Sequence, residues 1–313
     1  MSAPQFVPDY VTGKTWCEDG MRKWFRKFFS SGFFIPFVLL LPYVCTILLN
    51  GADKALLLYS PDEENLVPLL LMVQMKGDYE GETRKAQSVI ARSEMYRRLA
   101  KGERTGQIME EVSMELAGEK WEKNEIRRML KYADRMQENK NAAAATNGQV
   151  LTYNGELRLV PYHQISSGMT RNGEEAFHST EYKYLKAVDS SQDKEAPDYI
   201  NSTYVSVNQL PARLVIKERD STGYVTALTV DESWLEGESF RQEMHLASSN
   251  FTMQKVGKAV RFLCKGKGHG LGFSQYGGNE MAKGGSSWEE ILSAYFPEME
   301  LQNIKSVKSA GKI

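Results

Sequence analysis

Apolar and polar positions follow two different periods along the chain, and the change falls near residue 149. Before it, apolar side chains recur at helical spacing, which predicts a helix over 62–75, a second from Gly81 to about Ala100, and two solvated helices within 107–140. The stripe of the second helix that is predicted to face the core consists of Ala86, Val89, Ile90 and Ser93.

From residue 149 onward the pattern alternates, as in half-buried strands. The dipeptide Asn154-Gly155 predicts a two-residue hairpin turn. Near the C-terminus, Ser287 and Glu290 have the spacing of a capping box at the start of a short helix. Further strands are predicted at 202–208, 212–218, 223–230 and 256–264. Because helices come first and strands later, we predict an α+β fold with a mainly antiparallel sheet part.

An uncharged run, Gly32–Leu49, precedes this domain and just reaches the length of a membrane-spanning helix. Four basic residues crowd its N-terminal side, which by the positive-inside rule places the N-terminus in the cytoplasm. A buried core helix or a cleaved signal peptide is the alternative, but no clear cleavage site follows the run. We therefore expect a single-pass cell-membrane protein with its main domain outside the cytoplasm. The predicted segments are a cytoplasmic tail at 1–31, a transmembrane anchor at 32–50, one domain at 60–302 with a helical insertion at about 101–145, and a tail at 303–313.

Composition excludes several classes of function. Hydrophobic residues make up 42% of the chain, enough for a globular core, and 39 Lys and Arg residues are balanced by 40 Asp and Glu residues. Such a balance gives no basic excess for nucleic-acid binding. Cys264 is the one cysteine of the main domain, so no disulfide can form within that domain, and no Cys/His spacing typical of zinc occurs. We expect neither a metal nor a cofactor.

A glycine-rich segment over 265–285 is the most unusual feature of the sequence. Six glycines fall within 266–278, and glycine permits left-handed backbone and close approach of a ligand or another segment. The candidate functional side chains between them are those of His269, Ser274, Gln275 and Tyr276. A tight turn packed on the core is the alternative interpretation.

Two other polar clusters are candidates. Lys85 and Arg92 lie on one face of the second predicted helix with Ser88 between them, and such a face can bind hydroxyls or carboxylates, although an ordinary solvated face would look the same. The loop 161–170 groups polar side chains around a glycine, without the GxSxG pattern of a hydrolase nucleophile. Its polar members are His163, Ser166, Ser167 and Thr170.

Several segments together resemble the stage II sporulation protein D family, also called the amidase-enhancer family. The run GHGLGFSQYGG is similar to the family's GHGVGMSQYGA, ETRKAQSVIAR to its ALKAQAVAAR helix, and HQISSGMT to its HSTSGG-T loop. TNGQVLTYNGE, YLKAVDSSQDKEAP, SSNFTMQ and MAKGGSSWEEILSAYFPEMEL match further blocks in the family's order. The resemblance extends over about residues 60–302.

The resemblance implies a lytic transglycosylase that cuts peptidoglycan glycan strands lacking stem peptides during engulfment in sporulation. It also implies two partners, a sporulation amidase and a membrane protein of the same complex. Residues implied to bind the strand are Lys85, Arg92, Ser166, Ser167, His269, Ser274, Gln275 and Tyr276.

One position departs from the family. Its catalytic glutamate precedes the KAQ helix, and the matching position here is Gln74, whose amide cannot act as a general acid. Either the chain binds glycan without cutting it, as an amidase-stimulating scaffold, or another carboxyl serves. Asp78, Glu80 and Glu82 are close in sequence, and Glu82, one helical turn from Lys85, is the least implausible substitute.

Overall fold

The computed structural model describes residues 63–118 and 125–309, together with the isolated Val44. Val44 apart, the predicted tail and membrane anchor lie outside the described residues. Within the described part of the chain, no helix is both long and apolar enough to cross a membrane.

The N-terminal half of the described chain is helical, as predicted. Helix α2 runs over the predicted range, and the two helices expected within 107–140 are α3 and α4. The helices up to residue 145 are α1 (Glu63–Gln74), α2 (Gly81–Ala100), α3 (Thr105–Gly118) and α4 (Glu125–Ala145).

Short strands and short helices make up the rest, which confirms a mixed α+β fold. The strands are β1 (Gln149–Thr152), β2 (Tyr162–His163), β3 (Ile200–Ser206), β4 (Leu214–Arg219), β5 (Val225–Val230), β6 (Ser233–Glu236), β7 (Phe251–Val256), β8 (Ala259–Lys265), β9 (Phe273–Ser274) and β10 (Glu300–Asn303). The helices are α5 (Gly173–Phe177), α6 (Gly237–Glu243), α7 (Gln275–Lys283), α8 (Trp288–Tyr295) and α9 (Ile304–Ser309), with 3-10 turns at Thr180–Tyr182, Ser191–Glu195 and Val207–Gln209.

Four small sheets result. Antiparallel three-stranded sheets have the orders β3-β8-β7 and β4-β5-β6, β1 pairs antiparallel with β10, and β2 pairs parallel with β9. The predicted hairpin after residue 149 is only half right. Asn154 and Gly155 form the two-residue turn, both with positive φ, between Tyr153 and Glu156. However, β1 pairs with β10, which lies about 150 residues later in the sequence, and not with the segment that follows the turn.

Helix α2 is the centre of the largest described core. Its stripe of Ala86, Val89 and Ile90 is fully buried and belongs to a cluster that also contains Phe273 and Tyr295. Ser93 joins this stripe with a hydrogen bond to its own helix and accepts one from the Leu151 backbone N–H at 2.8 Å. The helix therefore organises both the strand pair β1-β10 and the C-terminal helices. The predicted capping box of Ser287 and Glu290 is present at the start of α8.

Arg92 has a different role from the predicted contact with glycan. Its side chain is fully buried, and its guanidinium donates to Glu64 at 2.9 and 3.0 Å and to the backbone oxygens of Ala143 and Gln149. A guanidinium surrounded in this way reaches no ligand at the surface. Seven residues along a helix do return to one face, but that face turns inward at Arg92, and we therefore assign this residue to the core.

We predict that Arg92→Ala lowers the free energy of unfolding by about 3 kcal/mol, because it removes the buried guanidinium that binds Glu64 and the carbonyls of Ala143 and Gln149. Arg92→Lys should recover only part of this loss, since an ammonium cannot reproduce the fork of the guanidinium. Urea unfolding measures both changes. Arg98→Ala is the matched control: Arg98 pairs with Glu103 and Glu111 at the surface, and its loss should cost less than ~1 kcal/mol. Equal losses at Arg92 and Arg98 would contradict the assignment.

Candidate functional site

A cleft of ≈ 720 Å³ opens where the C-terminal end of α1 faces the segment 159–164 and the glycine-rich loop. Gln74, His163 and His269 all line it, so the structure brings together three residues far apart in sequence. We call it the Gln74 cleft. Its lining consists of Val73, Gln74, Lys76, Glu94, Glu115, Leu159, Val160, Pro161, Tyr162, His163, Gln164, Arg241, Leu246, Ala247, Lys267, Gly268 and His269.

Gln74, the last residue of α1, is held by two other amides. Its Oε1 accepts a hydrogen bond from Nε2 of Gln87 at 2.8 Å, and its backbone oxygen accepts one from Nε2 of Gln275 at 3.0 Å. The same Gln275 nitrogen donates to Oε1 of Gln87 at 3.2 Å. Gln275 is thus buried directly behind Gln74. Within the described residues the Gln74 amide nitrogen has no hydrogen-bond acceptor and remains available at the cleft.

The start of α7 places Gln275, and a buried carboxylate fixes that start. Ser274 caps α7 by accepting from the Gly277 N–H, and its hydroxyl donates to Oδ1 of Asp193 at 3.0 Å. Oδ2 of Asp193 accepts from the Ser166 N–H at 2.7 Å and the Ser190 hydroxyl at 3.0 Å. Burial raises the pKa of Asp193, while these hydrogen bonds oppose the rise.

The predicted contact with glycan requires Ser166 and Ser274 to lie at the cleft surface. The structure does not place them there. Both are fully buried, and the Ser166 hydroxyl accepts from the Gly168 N–H at 3.0 Å. Ser167 donates its N–H to the Tyr224 hydroxyl, and Tyr276 donates its N–H to the carbonyl of Gln164. Neither Ser167 nor Tyr276 lines the cleft. Their backbones instead tie the neighbouring loops together.

Two imidazoles hold the peptide groups of Leu271 in the glycine-rich loop. Nδ1 of His163 donates to the Leu271 carbonyl at 3.0 Å, and Nδ1 of His269 accepts from the Leu271 N–H at 3.1 Å. With its hydrogen on Nδ1, His163 keeps a lone pair on Nε2, which is buried and has no partner among the described residues. Burial, reinforced by His269, lowers the pKa of His163 to about 3. Burial also lowers the pKa of His269, and both rings are therefore neutral at pH 7.

The loop's glycines are required by close approach of the backbone, as predicted. Gly270 has φ +79°, and a Cβ there would lie 2.4 Å from the Tyr224 ring. Gly272 has φ +66°, and a Cβ there would lie 2.2 Å from the carbonyl oxygen of Pro161. A side chain at either position would push the loop away from the segment that lines the cleft.

Comparison with known proteins agrees with this arrangement of segments. The family model described as "Stage II sporulation protein" matches residues 60–153, which contain Gln74 and Gln87. Stage II sporulation protein D of Bacillus amyloliquefaciens is 28% identical over 270 residues, 80% of this chain and 76% of that protein. Stage II sporulation protein D of Bacillus subtilis (strain 168) is 27% identical over 253 residues, 75% and 73% of the two chains. Over most of its length the chain is therefore similar to stage II sporulation protein D. An uncharacterized protein of Brachyspira hyodysenteriae is 24% identical over 183 residues, 53% of this chain and 49% of that protein.

The structure does not support Glu82 as a substitute acid. The Glu82 carboxylate accepts from Lys85 at 2.6 Å and from the Trp288 N–H at 3.0 Å, and neither Glu82 nor Lys85 lines the Gln74 cleft. Partial burial raises the pKa of Glu82, but these two hydrogen bonds outweigh it and lower the pKa overall. Glu82 therefore stays ionised. The Lys85 ammonium binds the Glu82 carboxylate and not a ligand in the cleft.

Two carboxylates that the sequence interpretation missed do line the cleft. Glu94 binds Arg97 through both oxygens at 2.5 and 2.7 Å, and Glu115 lies 3.5 Å from the Lys76 ammonium. Glu94 lies two residues beyond Arg92, on the opposite side of the helix from the predicted Lys85–Arg92 face. Glu115 belongs to a helix that the sequence predicts to be solvated. Gln87 was also missed, although it lies in the KAQ motif of the family and its side chain is fully buried.

The neutral state of His163 predicts how stability depends on pH. An unfolded chain protonates this imidazole below about pH 6.5, whereas the folded protein holds it neutral down to about pH 3. The unfolded state therefore binds the extra proton, and stability falls as the pH drops from about 6.5 toward 3, by up to about 1.4 kcal/mol per pH unit. Urea unfolding between pH 4.5 and 7.5 measures this dependence. His163→Gln should reduce the slope of the free energy of unfolding against pH by up to about 1.4 kcal/mol per pH unit, which corresponds to one proton. His178, which is exposed, provides the control: His178→Gln should leave the slope unchanged. An unaltered slope in the His163 variant would contradict the prediction.

Proposed function

We propose that this protein binds peptidoglycan glycan strands lacking stem peptides during sporulation, in the Gln74 cleft, and cuts them weakly or not at all. The observation that carries this proposal is the amide of Gln74 at the wall of the cleft, at the position of the family's catalytic acid. Similarity to stage II sporulation protein D supports the setting, and the cleft's geometry supports the binding role.

Cleavage requires a proton for the departing oxygen, and the described lining supplies no efficient donor at neutral pH. Gln74 is an amide, and His163 is neutral with a pKa of about 3. Burial raises the pKa of Tyr162 to about 12, so its hydroxyl is a poor acid. Glu94 and Glu115 are both paired with cations. The cleft therefore favours recognition over proton transfer.

The same lining suits a sugar polymer with carboxylates. The free amide nitrogen of Gln74 and the side chain of Gln164 offer hydrogen bonds to hydroxyl and acetamido groups. Lys76, Arg241 and Lys267 outnumber the two glutamates, which leaves one positive charge. A strand without stem peptides carries one lactyl carboxylate on each muramic acid unit, so its negative charge complements this cleft.

An active lytic transglycosylase is the second candidate function. The resemblance to the family and the presence of two carboxylates in the cleft favour it, if either carboxylate can leave its cation when a strand binds. Of these, Glu115 is the more suitable, because its ion pair is longer and more exposed than that of Glu94.

Restoring the carboxyl tests the two functions. We expect Gln74→Glu to raise the yield of 1,6-anhydromuramic product by about 10²-fold or more, because it returns a general acid whose usual contribution is ~10²–10⁴-fold. The measurement is mass spectrometry of purified denuded strands incubated with the full chain. Binding without product is expected for the unaltered protein.

Three further variants make this test specific. Gln74→Ala should bind strands and give no more product than the unaltered chain, which separates the carboxyl from a simple change of shape. Glu82→Gln and Glu115→Gln should leave the yield of anhydro product unchanged in a binding protein. Abundant anhydro product from the unaltered chain, abolished by one of these two changes, would overturn the binding role in favour of the lyase.

We also propose that the protein is anchored by its N-terminal apolar run, with the cleft outside the cytoplasm, where a sporulation amidase and a membrane protein of the same complex are its partners. An amidase that removes stem peptides would supply the substrate class named above. In protoplasts, added protease should degrade the domain after about residue 50, whereas in inverted membrane vesicles the domain should be protected. The opposite pattern, or a protein that fractionates without membrane, would contradict this topology.

A further inference from the structure

A second cleft, of ≈ 410 Å³, lies next to the Gln74 cleft. It is lined by the side chains of Arg97, Lys101, Arg158 and Tyr182, and by Leu159, which also lines the Gln74 cleft. We call it the Lys101 cleft. None of the residues singled out by the family resemblance lies in it.

The two clefts are consecutive parts of one surface track. Residues 156–159 line the Lys101 cleft and residues 159–164 continue along the Gln74 cleft, so a single segment of chain passes along both. An extended segment of nine residues spans at most roughly 30 Å, which is room for several sugar rings. On the other wall, α2 contributes Glu94 to one cleft and Arg97 to the other, and their bidentate ion pair marks the junction.

The charge of the Lys101 cleft is suited to an anion. Arg97, Lys101 and Arg158 face two carboxylates, Glu156 and Glu181, which leaves one positive charge. Arg158 binds both carboxylates, at 2.8 and 3.2 Å. The exposed ammonium of Lys101 forms no ion pair among the described residues, and its charge acts only at longer range on Glu103, which is bound by Arg98. Lys101 is thus the cation of this cleft that can take an incoming carboxylate at the least cost.

The cleft also offers a surface for a sugar ring. Tyr182 is half-buried, with its ring fixed against Phe177 at a centroid distance of 4.2 Å. Behind it, Tyr184 is buried and donates its hydroxyl hydrogen to the carbonyl of Leu159 at 3.0 Å, which holds the shared segment in place. A rigid aromatic edge beside a free cation is an arrangement that fits an acidic sugar.

We propose that the Lys101 cleft is a second subsite for the strand that occupies the Gln74 cleft, and that Lys101 binds the lactyl carboxylate of a muramic acid unit. This inference rests on the proposed function. A stem peptide converts that carboxylate into an amide and adds bulk at the same atom. The Lys101 cleft therefore selects strands from which the peptide has been removed.

The test compares three length-matched octasaccharides by their dissociation constants for the full chain. One is denuded, the second is denuded with its lactyl carboxylates converted into primary amides, and the third carries stem peptides. Lys101→Ala should weaken binding of the denuded strand about threefold, and Lys101→Glu about tenfold. Neither change should affect the amidated or the peptide-bearing strand. Lys217→Ala, at an exposed lysine on β4, is the control and should change none of the three.

Each outcome decides a separate point. If the unaltered protein does not bind the denuded strand, both the proposed function and this subsite are wrong. If it binds the denuded strand and the Lys101 variants bind equally well, the proposed function stands and the subsite is wrong. If Lys101→Glu weakens the peptide-bearing strand as much as the denuded one, the carboxylate comes from the peptide, and the proposed selection for denuded strands is overturned.

Discussion

The buried carboxylate of Asp193 is the constraint on which the cleft depends. It accepts hydrogen bonds from Ser190 in its own turn and from two distant stretches of chain, through Ser166 and Ser274. Burying a charged group is costly unless such donors surround it, so each of these stretches is held at a defined distance from the others. The start of α7 follows from this, and with it the place of Gln275 behind Gln74. A fully buried group that does not line the cleft thus positions residues around it.

The wall of the cleft is almost free of groups that change protonation near neutral pH. Its two imidazoles are neutral because they are buried, and each forms a hydrogen bond with a peptide group of Leu271. Its amides form a closed pattern from Gln87 to Gln74 and Gln275. Such a wall presents fixed donors and acceptors to a polar ligand, whereas proton transfer requires a group with two accessible charge states. The chemistry of the wall and the amide of Gln74 therefore both favour the proposed binding role over proton transfer.

Local patterns predicted the helices, the capping box at Ser287 and the Asn154-Gly155 turn, because each depends on residues a few positions apart. The pairing of β1 with β10 was not predicted, because no local sequence pattern indicates a partner strand about 150 residues away. The site residues divide along the same line. The glycine-rich loop is recognisable from its composition. In contrast, the sequence does not distinguish a serine that binds a ligand from one that binds Asp193. Arg92 likewise has the spacing of a surface face, and only the positions of Glu64 and α4 show that this face is buried.

The Gln74 cleft joins the first helix of the domain to almost its last, since Gln74 and Gln275 meet across 201 positions and β1 pairs with β10. Contacts of such long range form late in folding, because the intervening chain must be ordered first. A nascent chain whose synthesis has passed α1 and α2 has the Gln74 wall and lacks the opposite one. The proposed affinity for glycan therefore requires nearly the whole domain, because a polypeptide that ends before residue 267 lacks Lys267, Gly268 and His269 of the cleft.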